Sequence, residues 1–265
     1  MSLVITQNIL LGAKDCPVIK PHFARIGWNT KTDSISASSE AAGFEASNAL
    51  SIGDHQYWMP TAMPATAEIT LSGSISFIGI AASDLSAKGV TVKAEYFDGS
   101  NYQLISEVIP GNDYGLMFIF DELTTEKIRL TFSGVEIPQI GVIQAGDVIT
   151  MPANIESGYL DLKLGRSTVF DNNLSENGKL LGRRVIRTSL SGTPEWKVVE
   201  YDWVAKYFTD FMDYAETSPY FFAQNPQEEP DSVYYCWSND SLFKSLGRRN
   251  RQYLPVKIPM EAYLG

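Results

Sequence analysis

The stretch NALSIGDHQYWMP (48–60) gathers a carboxylate, an imidazole and two rings in five positions, as Asp54, His55, Tyr57 and Trp58. That is the inventory of a sugar site. Rings lie against the apolar C–H face of a pyranose, and charged or imidazole groups bond its hydroxyls. The same residues admit a structural use, with Trp58 packed under a β-sandwich and Asp54 shaping a turn.

Other chemistry is harder to build. The sequence holds no GxSxG, GxxxxGK or HExxH pattern, so no nucleophile elbow, phosphate loop or zinc-protease helix is expected. Glu228 and Glu229 are an acid–base pair only if held across a substrate. As neighbours in a Pro-flanked loop they are expected to point apart and solvate it. The expectation is a protein that is not an enzyme. With only two histidines, His22 and His55, no metal site is expected, and no cofactor is implied. Cys16 and Cys236 lack a CxxC partner and read as reduced, mostly buried thiols, unless the fold brings them together.

Two arginine groups remain: Arg183, Arg184 and Arg187, and Arg248, Arg249 and Arg251. They read either as solvated charge or as forks pairing with carboxylates of a neighbouring copy. Nucleic acid is a poor partner for a chain with net charge −10, because binding phosphates needs a basic face. No stretch nears the roughly 18 apolar residues of a membrane helix. The start MSLVITQNILLGAKDC has no basic region ahead of an apolar run, so no secretory signal is expected.

At 265 residues the chain has room for two units. Residues 28–135 carry 5 Lys/Arg against 13 Asp/Glu, and the remainder 16 against 18. An acidic segment set between nearly neutral flanks suggests a module inserted into a second fold. The segment reads as β throughout. Short runs at 67–73, 74–82, 89–97, 101–109, 115–123 and 127–135 are broken by Gly, Asp, Asn and Ser, with Asp98-Gly99 as a turn. That spacing predicts a β-sandwich or jelly roll.

After a strand at 140–149 comes a polar stretch, Thr150 to about Asn177, long enough to be an arm or intermolecular loop. Residues 182–192 and 194–202 read as a hairpin. Then WVAKYFTDFMDYAET (203–217) gives the one convincing helix. Trp203, Tyr207, Phe211 and Tyr214 form one face, Val204, Phe208, Met212 and Ala215 the adjoining stripe, and Asp202 a candidate N-cap. Tyr220–Ala223 and Val233–Trp237 predict a second hairpin, its rings buried on one side beneath that helix. The closing QYLPVKIPMEAYLG (252–265), with two prolines, predicts a sheet edge or exposed arm.

Two resemblances follow. Residues 28–135 resemble a galactose-binding-like, discoidin-type jelly roll, through ASNAL then QYW, AEITLSGSISFIGIAASDL, GVTVKAEYFDGSNYQLI and FIFDELTTEKIRLTFSG. Tyr102 stands near the position where that family shows a Trp. Residues 140–265, with 1–27 completing the same fold, resemble tail-tip proteins of tailed bacteriophages, in the class of the distal tail protein. IGVIQAGDVITMP, LLGRRVIR, FTDFMDYA and PYFFAQNPQEEPDSVYYCWS carry this. The implied fold is mainly β: a tail-tube-like β-sandwich with one flanking helix (1–27 and 136–265) plus an inserted jelly roll (28–135). The implied function is structural, in the virion tail tip: a ring, by resemblance a hexamer, joining the tail tube protein to hub or baseplate proteins. The module would brace neighbours or contact host glycans. The alternative is a carbohydrate-binding protein on a scaffold.

Overall fold

The computed structural model describes residues 1–5, 22–156, 159, 161–240 and 252–264. Up to residue 133 its strands are β1 (Leu3–Ile5), β2 (Arg25–Trp28), β3 (Thr32–Ala37), β4 (Ala65–Leu71), β5 (Ile75–Ser83), β6 (Thr91–Phe97), β7 (Tyr102–Val108), β8 (Leu116–Leu123) and β9 (Lys127–Ser133). The remaining strands are β10 (Ile140–Thr150), β11 (Arg166–Leu174), β12 (Leu180–Gly192), β13 (Glu195–Glu200), β14 (Tyr220–Ala223), β15 (Val233–Ser238), β16 (Tyr253–Lys257) and β17 (Met260–Ala262). The fold is mainly β, as the sequence predicts.

An antiparallel sheet ordered β3-β4-β9-β6-β7 forms one layer. Alternation explains it: in β4, Ala65, Ala67, Ile69 and Leu71 point inward, and in β9, Ile128, Leu130 and Phe132 do so. They meet Ile78 and Ile80 of β5, Phe118 of β8 and Ile143 of β10 in one apolar core. The opposing layer belongs to a ten-stranded sheet ordered β1-β8-β5-β10-β2-β14-β15-β17-β12-β11. The strands of 28–135 thus divide between two sheets, with β8 joined to the rest of the chain by β1 and β5 by β10. The Asp98-Gly99 turn forms as expected. Gly99 takes φ +96°, and the Asp98 carboxylate accepts from the amides of Ser100 and Asn101.

Strand β5 is buried at eight of its nine positions, because both of its faces are covered. Ile78 and Ile80 serve the sandwich, while Phe77 and Ala81 face a second cluster with Phe221 and Tyr235. Gly79 makes this approach feasible: a Cβ there would sit 2.5 Å from the Phe221 ring.

The helix runs as α1 (Tyr201–Trp203), a wider π-helical turn (Val204–Phe208) and α2 (Thr209–Ala215). The Thr209 hydroxyl donates to the loosened carbonyls of Val204 and Ala205 at 3.2 and 3.4 Å. Val204, Phe208, Phe211, Met212 and Ala215 are buried, with Tyr207 and Tyr214 at the margin. Asp202 is not the cap. The helix starts two residues earlier, at Tyr201; Glu200 holds the N-cap position without a side-chain bond, and Asp202 lies in the first turn.

The ring-rich hairpin is β14–β15, pairing Tyr220 with Cys236 and Ala223 with Val233. Its burial differs from expectation in extent. Tyr220 and Phe222 pack under the helix, while Phe221 and Tyr235 pack on the far side against β5 and its neighbours. Both faces are covered.

Three further expectations are corrected. Strand β12 pairs with β11 and, at its end, with β17, whereas β13 pairs with β16; residues 182–192 and 194–202 do not form a hairpin. Within the polar stretch 150–177, Arg166–Leu174 is strand β11 rather than loop. Strand β17 lies inside the large sheet between β15 and β12, so the closing segment is not confined to an edge. Its prolines still obey the ladder rule, one in two-stranded β13–β16 and one between β16 and β17.

Candidate functional site: a surface ring pair and an exposed arm

The four sugar-site candidates separate. Asp54 and His55 are exposed on the loop before β4. Trp58 is fully buried, so it offers no stacking surface. Its indole donates to the Ser39 carbonyl at 3.1 Å, and its ring meets Phe132 edge-on with centroids 5.6 Å apart. Its backbone exchanges hydrogen bonds with Ile140 at 2.8 and 3.0 Å. Trp58 is therefore the pin that fixes the loop to the sandwich.

Tyr57 takes a different role. Its ring lies nearly parallel to Phe44, with centroids 4.7 Å apart and planes 19° from each other. Both are half-buried, leaving part of the pair in contact with solvent. The Phe44 turn is set by Gly43 at φ +83° and by the Ala41–Phe44 bridge. The amides of Ala41 and Met59 tie it to the Trp58 loop, donating to the Met59 and Phe44 carbonyls. Asn48 donates to the Tyr57 carbonyl at 3.2 Å. The platform is thus two rings with Asp54 and His55 close by in sequence. Phe44 stands 13 positions before Tyr57, and sequence reasoning passed it over; only the AAGF turn signal pointed to it.

A second aromatic cleft lies between the helix and β2–β10, lined by Trp28, Asp147, Trp203, Tyr207 and Asp210. At about 200 Å³ it is below the usual ~300–1,000 Å³ of a small-molecule site. No cluster that could hold a metal occurs among the described residues. Among those residues no helix is long and apolar enough to cross a membrane.

Glu228 and Glu229 do part. Glu228 bonds within its own loop to Asn225, and Glu229 pairs with Lys163 at 3.2 Å. Cys236 is a buried free thiol, and burial pushes its pKa well up; Cys16 lies outside the described residues.

Arg183, Arg184 and Arg187 share the exposed part of β12. Arg183 covers the Phe170 ring at 3.4 Å, and Arg184 faces Asp171 at 3.9 Å in the open. Arg248, Arg249 and Arg251 lie outside the described residues. The β11–β12 hairpin around them pairs with the body's sheet where β12 meets β17, at Leu190–Gly192. Along it Val169, Phe170, Leu174, Leu180, Leu181, Val185 and Ile186 are 40–65% exposed.

Comparison with protein families and with curated proteins gives no match. Among solved structures, the chain is similar over part of its length to a galactose-bound family 32 carbohydrate-binding module of C. perfringens. The identity there is 18% and the TM-score 0.39, over 46% of this chain and all of that one. A pectin-binding module is similar at 18% identity and TM-score 0.38, over 44% of this chain and 91% of that one. A GH29 fucosidase of Ruminococcus gnavus in complex with fucose is similar at 19% identity and TM-score 0.38, over 44% of this chain. The chain spans only about a quarter (25%) of that enzyme's length. Likenesses this distant say nothing about what this chain binds, and the comparisons give the tail-tip expectation no support.

Proposed function

We propose that this protein is a non-catalytic carbohydrate-binding β protein that engages a glycan at the loops before β4. One observation carries the reading. Phe44 and Tyr57 form a parallel ring pair at the surface, on a loop anchored by Trp58 and flanked in sequence by Asp54 and His55. The rings offer the apolar face a pyranose needs, and the carboxylate and imidazole offer partners for its hydroxyls. Calorimetric titration against a panel of galactosides, N-acetylgalactosaminides and uronic-acid oligosaccharides tests it. Binding that weakens at least tenfold in Tyr57→Ala and Phe44→Ala, about 1.4 kcal/mol, is the expected result. A flat panel, or binding indifferent to both substitutions, removes it.

The projecting β11–β12 hairpin favours a second reading, a structural component of a larger assembly. The phage tail tip is one such case. There residues 1–27 and 136–265 would frame a six-membered ring between tail tube and hub proteins, and 28–135 would be the displayed module. A particle mass in solution equal to six chains would support that form.

A further inference from the structure

The β11–β12 hairpin has no core of its own, yet it is rich in apolar residues and cations. Side chains alternate across a strand, so Leu181, Arg183 and Val185 share one side with Phe170, and Arg184 lies on the other with Asp171. Both sides are open to solvent. From Leu180 to Ser189 the arm spans about 30 Å at the usual rise per residue. Long, apolar, unprotected strands are a liability in a protein that stays alone, and contiguous exposed apolar surface marks an interaction site. Among the described residues, strand β11 also closes one end of the ten-stranded sheet, with no strand paired to its outer edge.

Charge selects the occupant. Residues 166–192 hold five Lys/Arg (Arg166, Lys179, Arg183, Arg184 and Arg187) against Asp171 and Glu176. The rest of the chain holds 16 against 29, and its acidity is concentrated in 28–135. A cationic arm on an acidic body repels another such arm and is attracted to another such body.

We propose that the β11–β12 hairpin docks on the acidic 28–135 segment of a second copy of this chain. The contact is heterologous, arm to body, and so propagates into a closed ring or an open chain rather than stopping at a two-fold dimer. Arginine forks fix the register on carboxylates such as Asp121 and Glu122, both exposed, while the apolar residues supply buried area. The proposal is independent of the glycan reading, and a flat sugar panel leaves it standing.

Sedimentation velocity of the full chain over a concentration series, at low and high salt, tests it. The expected result is self-association that rises with concentration and weakens at least tenfold in the triple variant Arg183→Glu, Arg184→Glu, Arg187→Glu. Association should also fall in Val185→Ser with Ile186→Ser. All five positions are exposed, so circular dichroism should show both variants folded. A second body-side variant, Asp121→Lys with Glu122→Lys, should restore association to the arginine triple variant. A monomer at every concentration overturns the proposal, as does association untouched by both arm variants.

Discussion

Two hairpins of this chain have similar raw material and opposite fates. β14–β15 and β11–β12 are both antiparallel ladders studded with large apolar side chains. In the first, Tyr220, Phe221, Phe222, Tyr234 and Tyr235 are all 0–1% exposed, held between the helix and the β5 layer. In the second, Leu180 to Arg187 are exposed, and among the described residues no layer covers either face. What separates them is topology. The first sits mid-sheet, between β2 and β17, where neighbours supply both covers; the second closes the end of the sheet. Apolar content alone does not make a core. A second layer does, and an arm without one is left for a partner.

The sharpest way to break this contrast is to remove a buried ring. Phe222→Ala deletes a fully buried side chain under the helix and should cost about 3–5 kcal/mol of stability in urea unfolding. A loss below about 1 kcal/mol would mean that this hairpin is not the centre of its core.

Alkaline titration distinguishes the hairpins next. Burial raises the pKa of Tyr220, Tyr234 and Tyr235 above the ordinary phenol value. A folded pKa above the unfolded one gives stability that is complete below about pH 10 and lost as pH rises towards the folded value. The loss is about 1.4 kcal/mol per pH unit for each tyrosine, because the unfolded chain sheds its protons first. Urea unfolding at pH 9, 10 and 11 should therefore show stability flat and then falling. A flat profile throughout would put these phenols in water.

The sequence made one of these hairpins easy to read and hid the other. Apolar alternation in β4 and β9, the Asp98-Gly99 turn and the aromatic helix stripe are local signals, and each formed where the residues indicated. The partner of β12 was not local information. RSTVFDNNL shows no clean alternation, so β11 read as polar loop, and PEWKVVEYD looked the better mate. The split within the candidate site was hidden for the same reason. Trp58 and Tyr57 are adjacent with opposite roles, because one side chain turns into the sandwich and the other out to Phe44. Which ring is pin and which is platform depends on the Ile140 bridge, 82 positions away in the chain.

The smallest stability effect belongs to the exposed arm. Val185→Ser with Ile186→Ser removes no buried contact and should change unfolding free energy by about 0.5 kcal/mol or less per site. A loss of several kcal/mol would show that the arm packs on its own body and would erase the contrast.

The most direct measurement is amide hydrogen exchange of the intact protein at low and high concentration. Residues 220–238 should be protected equally in both. Outward amides of β11, at 166–174, should exchange fast when dilute and slow when concentrated. Exchange in β11 that does not change with concentration would contradict a partner-seeking arm.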